Sequence, residues 1–139
     1  MHRRPLGRGR MLAALAAIVI LVGCFLPWWQ VGGGESLPVM SENAFSGSGI
    51  VVVLAALGTI ALVTLPYATD RPVGIDRALS YLFLVALGWI GLVIRFAGLA
   101  TVNVGAILPD RAPGIWLAAL GLVVLSRAVY EIAREHPVR

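Results

Sequence analysis

The chain has 139 residues, 59% of them apolar and 13% charged, with a net charge of +4 and a mean hydropathy of +0.90. An ordinary soluble domain is about 25% charged, so a water-soluble core of the usual make-up is excluded. The isoelectric point near 10.2 would suit nucleic acid if the cations formed a stripe. They sit instead at the ends of apolar runs, which excludes that partner and makes them a topology signal.

All eleven basic residues are arginine, a compositional hint of a GC-rich bacterial genome. The single cysteine, Cys24, excludes an internal disulfide and any thiol relay, which needs a pair. Four apolar runs remain, each long enough to cross roughly 30 Å of hydrocarbon. The expected fold is all-α: an integral membrane four-helix bundle with a small extracytoplasmic loop cap.

Residues 1–10 carry Arg3, Arg4, Arg8 and Arg10 and no acid; they read as a basic cytoplasmic head, disordered or lying on the membrane surface. The first span is expected over 11–29, its helix to about Leu26, with Trp28 and Trp29 in an interfacial aromatic belt. Gln30–Ser48 is the longest polar stretch. Gly32-Gly33-Gly34 supplies the positive φ that a tight turn needs, so a short hairpin fits there, and so does a bare loop. Pro38 restricts any second strand to an edge.

The second span is expected over 49–67 and is cleanly apolar, with Pro66 marking its end. A connector holds Asp70-Arg71, and Asp76-Arg77 opens the third span, 78–100, where Asp76 suits an N-cap. Arg95 interrupts that span, and Phe96–Ala100 adds a further turn. Thr101–Val104 alternates weakly, as a short strand does. The fourth span is expected over 114–130, with Gly114 and Ala118 at the spacing that lets helices approach closely. The tail, 131–139, is amphipathic and mixed in charge.

Nine arginines fall on one side of these spans and two, Arg95 and Arg111, on the other. The positive-inside rule then places both termini in the cytoplasm of a bacterial inner-membrane protein. Trp28, Trp29 and Trp116 mark the outer interface; Tyr67, Tyr81 and Tyr130 mark the inner one.

Two positions carry candidate chemistry. Leu21-Val22-Gly23-Cys24 has the form of a lipobox, in which the cysteine is acylated and becomes the new N-terminus after a signal peptide. The competing reading has Cys24 as a small buried hydrophobe in a retained helix, and the apolar run continuing through Phe25-Leu26 favours it. Arg95 is the second. An arginine inside so apolar a helix either snorkels to headgroups or pairs with Glu35, Glu42 or Asp110, anchoring the outer loops or binding an anionic headgroup. The Asp-Arg pairs at 70–71, 76–77 and 110–111 read as helix-end capping and anchoring.

The absences narrow the classes. No Asp, Glu or His lies inside a span, so proton-coupled transport lacks its usual carrier, and the membrane glutamate of small multidrug transporters is missing. His2 and His136 are both terminal, so haem cannot be ligated between helices. No spacing suggests a metal or cofactor site. No nucleophile–base pair can be assigned within the membrane, so an enzyme is not expected; one would have to work from Glu35, Glu42, Asp110 and Arg95 at the outer face.

At Phe25-Leu26-Pro27-Trp28-Trp29, with Asn43-Ala44-Phe45-Ser46-Gly47 and Gly114-Ile115-Trp116-Leu117, the chain resembles a loose group of small four-span membrane proteins of actinobacterial type, marked by a Phe-Leu-Pro-Trp exit from the first helix. The resemblance implies the four-span plan and brings no activity or functional residue with it. The plan is also similar to that of claudin-like proteins, whose Gly-Leu-Trp motif and paired loop cysteines are absent here. The expected role is structural or accessory, with membrane lipid and a membrane-protein partner or a second copy as partners. The alternative is a small transporter or lipid-binding protein using the outer loops and Arg95.

Overall fold

The structure, a computed structural model, describes residues 7–68 and 78–135. It is all-helical apart from one small sheet. Helices α1 (Arg8–Phe25), α2 (Gly49–Ala68), α3 (Ala78–Val102) and α4 (Pro113–Glu135) are joined at one end by the strands β1 (Trp29–Val31) and β2 (Met40–Glu42) and by a 3-10 turn, Val104–Ile107. The four helices have 18, 20, 25 and 23 residues, about 27–38 Å at 1.5 Å per residue. All four are long and apolar enough to cross a membrane.

Each helix packs on its neighbours in the order α1, α2, α3, α4, and α4 closes back on α1 in the most extensive contact of the molecule. That seam follows from side-chain size. Gly9, Ala13, Ala16, Ile20 and Gly23 recur every three or four residues along α1 and are buried. Gly114, Ala118, Gly121, Leu125, Ala128 and Ile132 do the same on α4. This is the seven-residue period of a coiled coil with small residues at most of its contact positions, so the antiparallel backbones nearly touch. A Cβ added to Gly23 would lie 2.8 Å from the Ala118 amide nitrogen, and one on Gly121 only 2.5 Å from Ile20 Cγ1.

In apolar surroundings there is little hydrophobic drive between helices, and close van der Waals packing of this kind takes its place. Leu122 points the other way, to the middle of the bundle. A Cβ on Gly88 of α3 would lie 2.7 Å from its Cδ2 and 3.4 Å from Ala55 Cβ of α2.

Several boundaries differ from those expected. Arg8–Arg10, assigned to a loose head, form the first turn of α1, and the Gly9 amide donates to Glu135 Oε1 at 3.4 Å. At its other end α1 stops at Phe25. The residue before a proline is pushed out of the helical region, and Leu26, preceding Pro27, is extended at φ −78°, ψ 158°.

Pro66 sits inside the last turn of α2, which runs on to Ala68. Helix α3 passes through Arg95 without a break and continues to Val102. The strand expected at Thr101–Val104 is therefore absent. Asn103 leaves the helix and opens the 3-10 turn, its side chain accepting from the Gly105 amide at 2.9 Å. Helix α4 absorbs most of the expected tail, because Ile132 continues the buried stripe as far as Gly9. Asp70-Arg71, Asp76-Arg77, His2 and His136 lie outside the described residues.

Candidate functional site at the cap

The 26–48 segment folds into a cap over one end of the bundle. Gly32 and Gly33 take φ of +91° and +88°, the left-handed backbone that glycine adopts without a steric penalty. The turn they make lets β1 and β2 pair antiparallel, with Trp29 opposite Glu42, Gln30 opposite Ser41 and Val31 opposite Met40.

Three backbone hydrogen bonds hold this cap, the first within it and the other two to the helices. The Trp28 amide donates to the Glu42 carbonyl at 2.7 Å, the Ala44 amide to the Cys24 carbonyl at 3.2 Å, and the Gly114 amide to the Pro27 carbonyl at 3.0 Å.

Trp28 corrects an expectation. It does not stand in an aromatic belt: it is fully buried, the largest such side chain in the core. The Pro27 corner turns the indole back over the end of α1, where Nε1–H donates to the Gly23 carbonyl at 2.9 Å. Its ring also lies against the start of α4, since a Cβ on Gly114 would be 2.8 Å from Trp28 Cδ1. That hydrogen bond satisfies one of the orphan carbonyls of a helix C-terminus. Tyr81, expected at the opposite interface, is likewise buried in the first turn of α3.

Three other expected interface markers, Trp116, Tyr67 and Tyr130, stay at the surface. Trp116 is exposed, donates to the Ile107 carbonyl at 2.8 Å and meets the Phe96 ring edge-on at 6.0 Å. Tyr67 is exposed, and Tyr130 lies beneath the guanidinium groups of Arg127 and Arg134, at 5.5 and 4.5 Å from its ring centre.

Arg95 and Glu42 come together. Arg95 Nη2 lies 3.3 Å from Glu42 Oε2, and the same oxygen accepts from Trp29 Nε1–H at 3.2 Å. The arginine side chain is 18% exposed and the glutamate 48%. The guanidinium rests against Gly47, where φ is +65° and a Cβ would lie 2.9 Å from Nη1. Hairpin register explains why Glu42 is the partner. It is the cross-strand neighbour of Trp29, at the base of the hairpin and near the helices. Glu35, in the hairpin tip, and Asp110, after the 3-10 turn, are exposed and make no ion pair among the described residues.

A shallow pocket of about 290 Å³ opens beside this network, lined by Phe25, Pro27, Ser41, Glu42, Asn43 and Ser46. Phe25, 68% exposed at the end of α1, meets Phe45 with ring centres 5.3 Å apart. Asn43 fixes the turn below by accepting from the Phe45 amide at 3.1 Å. The pocket was not foreseen. The signal that could have found it is Ser41-Glu42-Asn43 followed closely by Ser46, a polar run abutting an aromatic helix exit.

Cys24 is fully buried, and its neighbour Gly23 is pressed on the α4 backbone. Cleavage before Cys24 would strip α4 of the partner it packs against most extensively. A hydrogen bond between α3 and α4 was also unforeseen: Trp89 Nε1–H donates to Ser126 Oγ at 3.1 Å, and the serine donates in turn to the Leu122 carbonyl at 2.8 Å. Between α2 and α3, towards the end away from the cap, runs an apolar groove of about 440 Å³ lined by Gly58, Leu62, Leu79, Ser80, Phe83 and Leu84.

Comparison with protein-family models, with curated proteins and with solved structures finds no match to this chain.

Proposed function

We propose that the chain is a four-span integral protein of a bacterial inner membrane, with both termini cytoplasmic and the hairpin cap outside. It acts as an accessory or structural component that docks on partner helices or on a second copy. The nine-to-two arginine asymmetry supports the orientation, and the resemblance to small four-span proteins of actinobacterial type is consistent with it.

The observation that carries the role is the filled interior. The space between the helices is occupied mainly by alanine, valine, leucine and isoleucine, and Thr59, the one buried polar residue among the described residues, spends its hydroxyl on the Ala55 carbonyl of its own helix at 2.8 Å. A solute path needs polar groups facing a wet cavity; the polar contact between α3 and α4, Trp89 to Ser126, is closed on itself, since the serine passes its hydrogen to the Leu122 carbonyl. Function then falls to the outer surface. Helix α3 is the least covered span and presents Leu79, Phe83, Ile90, Val93 and Ile94 outwards.

Affinity capture from gently solubilised membranes tests this reading. A stoichiometric membrane-protein partner, or a homo-oligomer, is expected; recovery of a lone monomer would overturn it. The second reading, lipid binding at the cap, is favoured by one observation, the pocket beside Glu42.

A further inference from the structure

We propose that the cap pocket holds the primary ammonium of an aminophospholipid headgroup in the outer leaflet. The inference rests on the membrane-spanning reading, which sets the cap at headgroup level, where Phe25 ends α1.

The polar groups of the pocket match that ligand in type. A primary ammonium has three N–H donors and no acceptor. Glu42 gives Oε2 to both Trp29 and Arg95, which fixes the carboxylate in orientation. Its other oxygen, Oε1, makes no hydrogen bond among the described residues, and neither do the hydroxyls of Ser41 and Ser46. Residues that line the cavity, Glu42 and Ser46 among them, therefore carry acceptor oxygens with no donor assigned among the described residues.

The aromatic wall adds to this. Phe25 lines the pocket with its ring largely exposed, and a ring face attracts a cation through its quadrupole. Glu42 is the one charged residue lining the pocket, and Arg95 engages it through Oε2, which leaves Oε1 for the ammonium. The volume of about 290 Å³ is at the small end for ligand sites, which suits a headgroup and leaves the acyl chains outside on the apolar helix surface. A quaternary ammonium cannot donate to these acceptors, so the site discriminates ethanolamine from choline headgroups.

The test reconstitutes the full chain in vesicles of equal phosphatidylethanolamine, phosphatidylcholine and phosphatidylglycerol and reads the lipids retained by native mass spectrometry. Retention of phosphatidylethanolamine over both others is expected. Glu42→Gln should lower it about tenfold, the effect of losing one charge-assisted hydrogen bond. Phe25→Leu, which leaves the Glu42–Arg95–Trp29 network intact, should lower it several-fold and decides the matter if Glu42→Gln disturbs the cap.

Equal retention of the three lipids, or wild-type retention in both variants, overturns the proposal. A soluble arm uses free ethanolamine and phosphoethanolamine. Competition by these with no lipid preference would assign the site to a free amine and overturn the lipid source. Failure of the protein to resist alkaline extraction from the vesicles would instead sink the membrane-spanning reading itself.

Discussion

Two side chains decide how the cap is held, and each makes a distinct prediction. Arg95 reaches Glu42 at 3.3 Å from a partly exposed position, and pairs of this kind contribute about 1 kcal/mol or less. Arg95→Leu should therefore leave global unfolding nearly unchanged while speeding protease cleavage in the 32–39 turn. Unaltered cleavage would show that the arginine serves only to reach headgroups. Trp28 is different, because its ring is sealed and its N–H has a carbonyl partner. Trp28→Phe should cost about 1 kcal/mol for the hydrogen bond, and Trp28→Ala about 3–5 kcal/mol for the cavity, both read by thermal unfolding in detergent. A belt tryptophan would tolerate either change.

The burial of Trp28 was not legible in the sequence, and of the Arg95 role only a pairing with one of three outer acids was. A tryptophan after an apolar run reads as interfacial because only the Pro27 corner, with the glycine carbonyl behind it, turns the ring inward. The choice of Glu42 over Glu35 and Asp110 needed the hairpin register, which the glycine turn sets and composition does not reveal.

At the level of helices, the spans themselves were legible because each is a long apolar run with at most one charge, Arg95 in the third and Arg127 in the fourth, and length alone separates it from a strand. Their ends were less so, since each depends on a local contest: Pro27 shortens α1, while burial of Ile132 lengthens α4. The small residues at Gly114 and Ala118 were recognised as an approach face, but their partner was not, because helix pairing is a property of three dimensions.

The seam can be tested by contrast. Gly121→Leu drives a side chain into Ile20 and the Ala16 carbonyl and should cost about 1–3 kcal/mol or more. Gly98→Ala meets nothing within 4 Å and should be neutral or raise stability by about 0.5–1 kcal/mol through helix propensity. Equal effects in a detergent melting experiment would deny that α1 and α4 meet at backbone distance.

For the molecule as a whole, the interior between the described helices is mostly apolar, and its few polar groups are spent on one another or on their own helices. Because α1 supplies one side of the tightest helix pair, it should be retained in the working protein. Intact-mass measurement on protein isolated from membranes should find no loss of residues 1–23 and no lipid on Cys24; a species beginning at an acylated Cys24 would refute retention. Orientation is open to an equally direct measurement. Cysteine placed at Ser36, in the exposed hairpin tip, should react with a membrane-impermeant thiol reagent added outside intact cells, whereas the buried Cys24 should not.

The pairing of the first helix with the last also bears on how the protein is made. Contacts between distant parts of a chain form late, after the loop between them has been closed. Here the stripe from Gly9 to Gly23 stays without its mate until the ribosome has delivered Pro113–Glu135. Throughout synthesis, then, an adhesive glycine–alanine face lies open in the bilayer to any helix of similar pattern, including that of a neighbouring nascent copy. Chains cut short before α4 should be the ones that mispair and are cleared by membrane proteases, while the finished chain hides that face within itself.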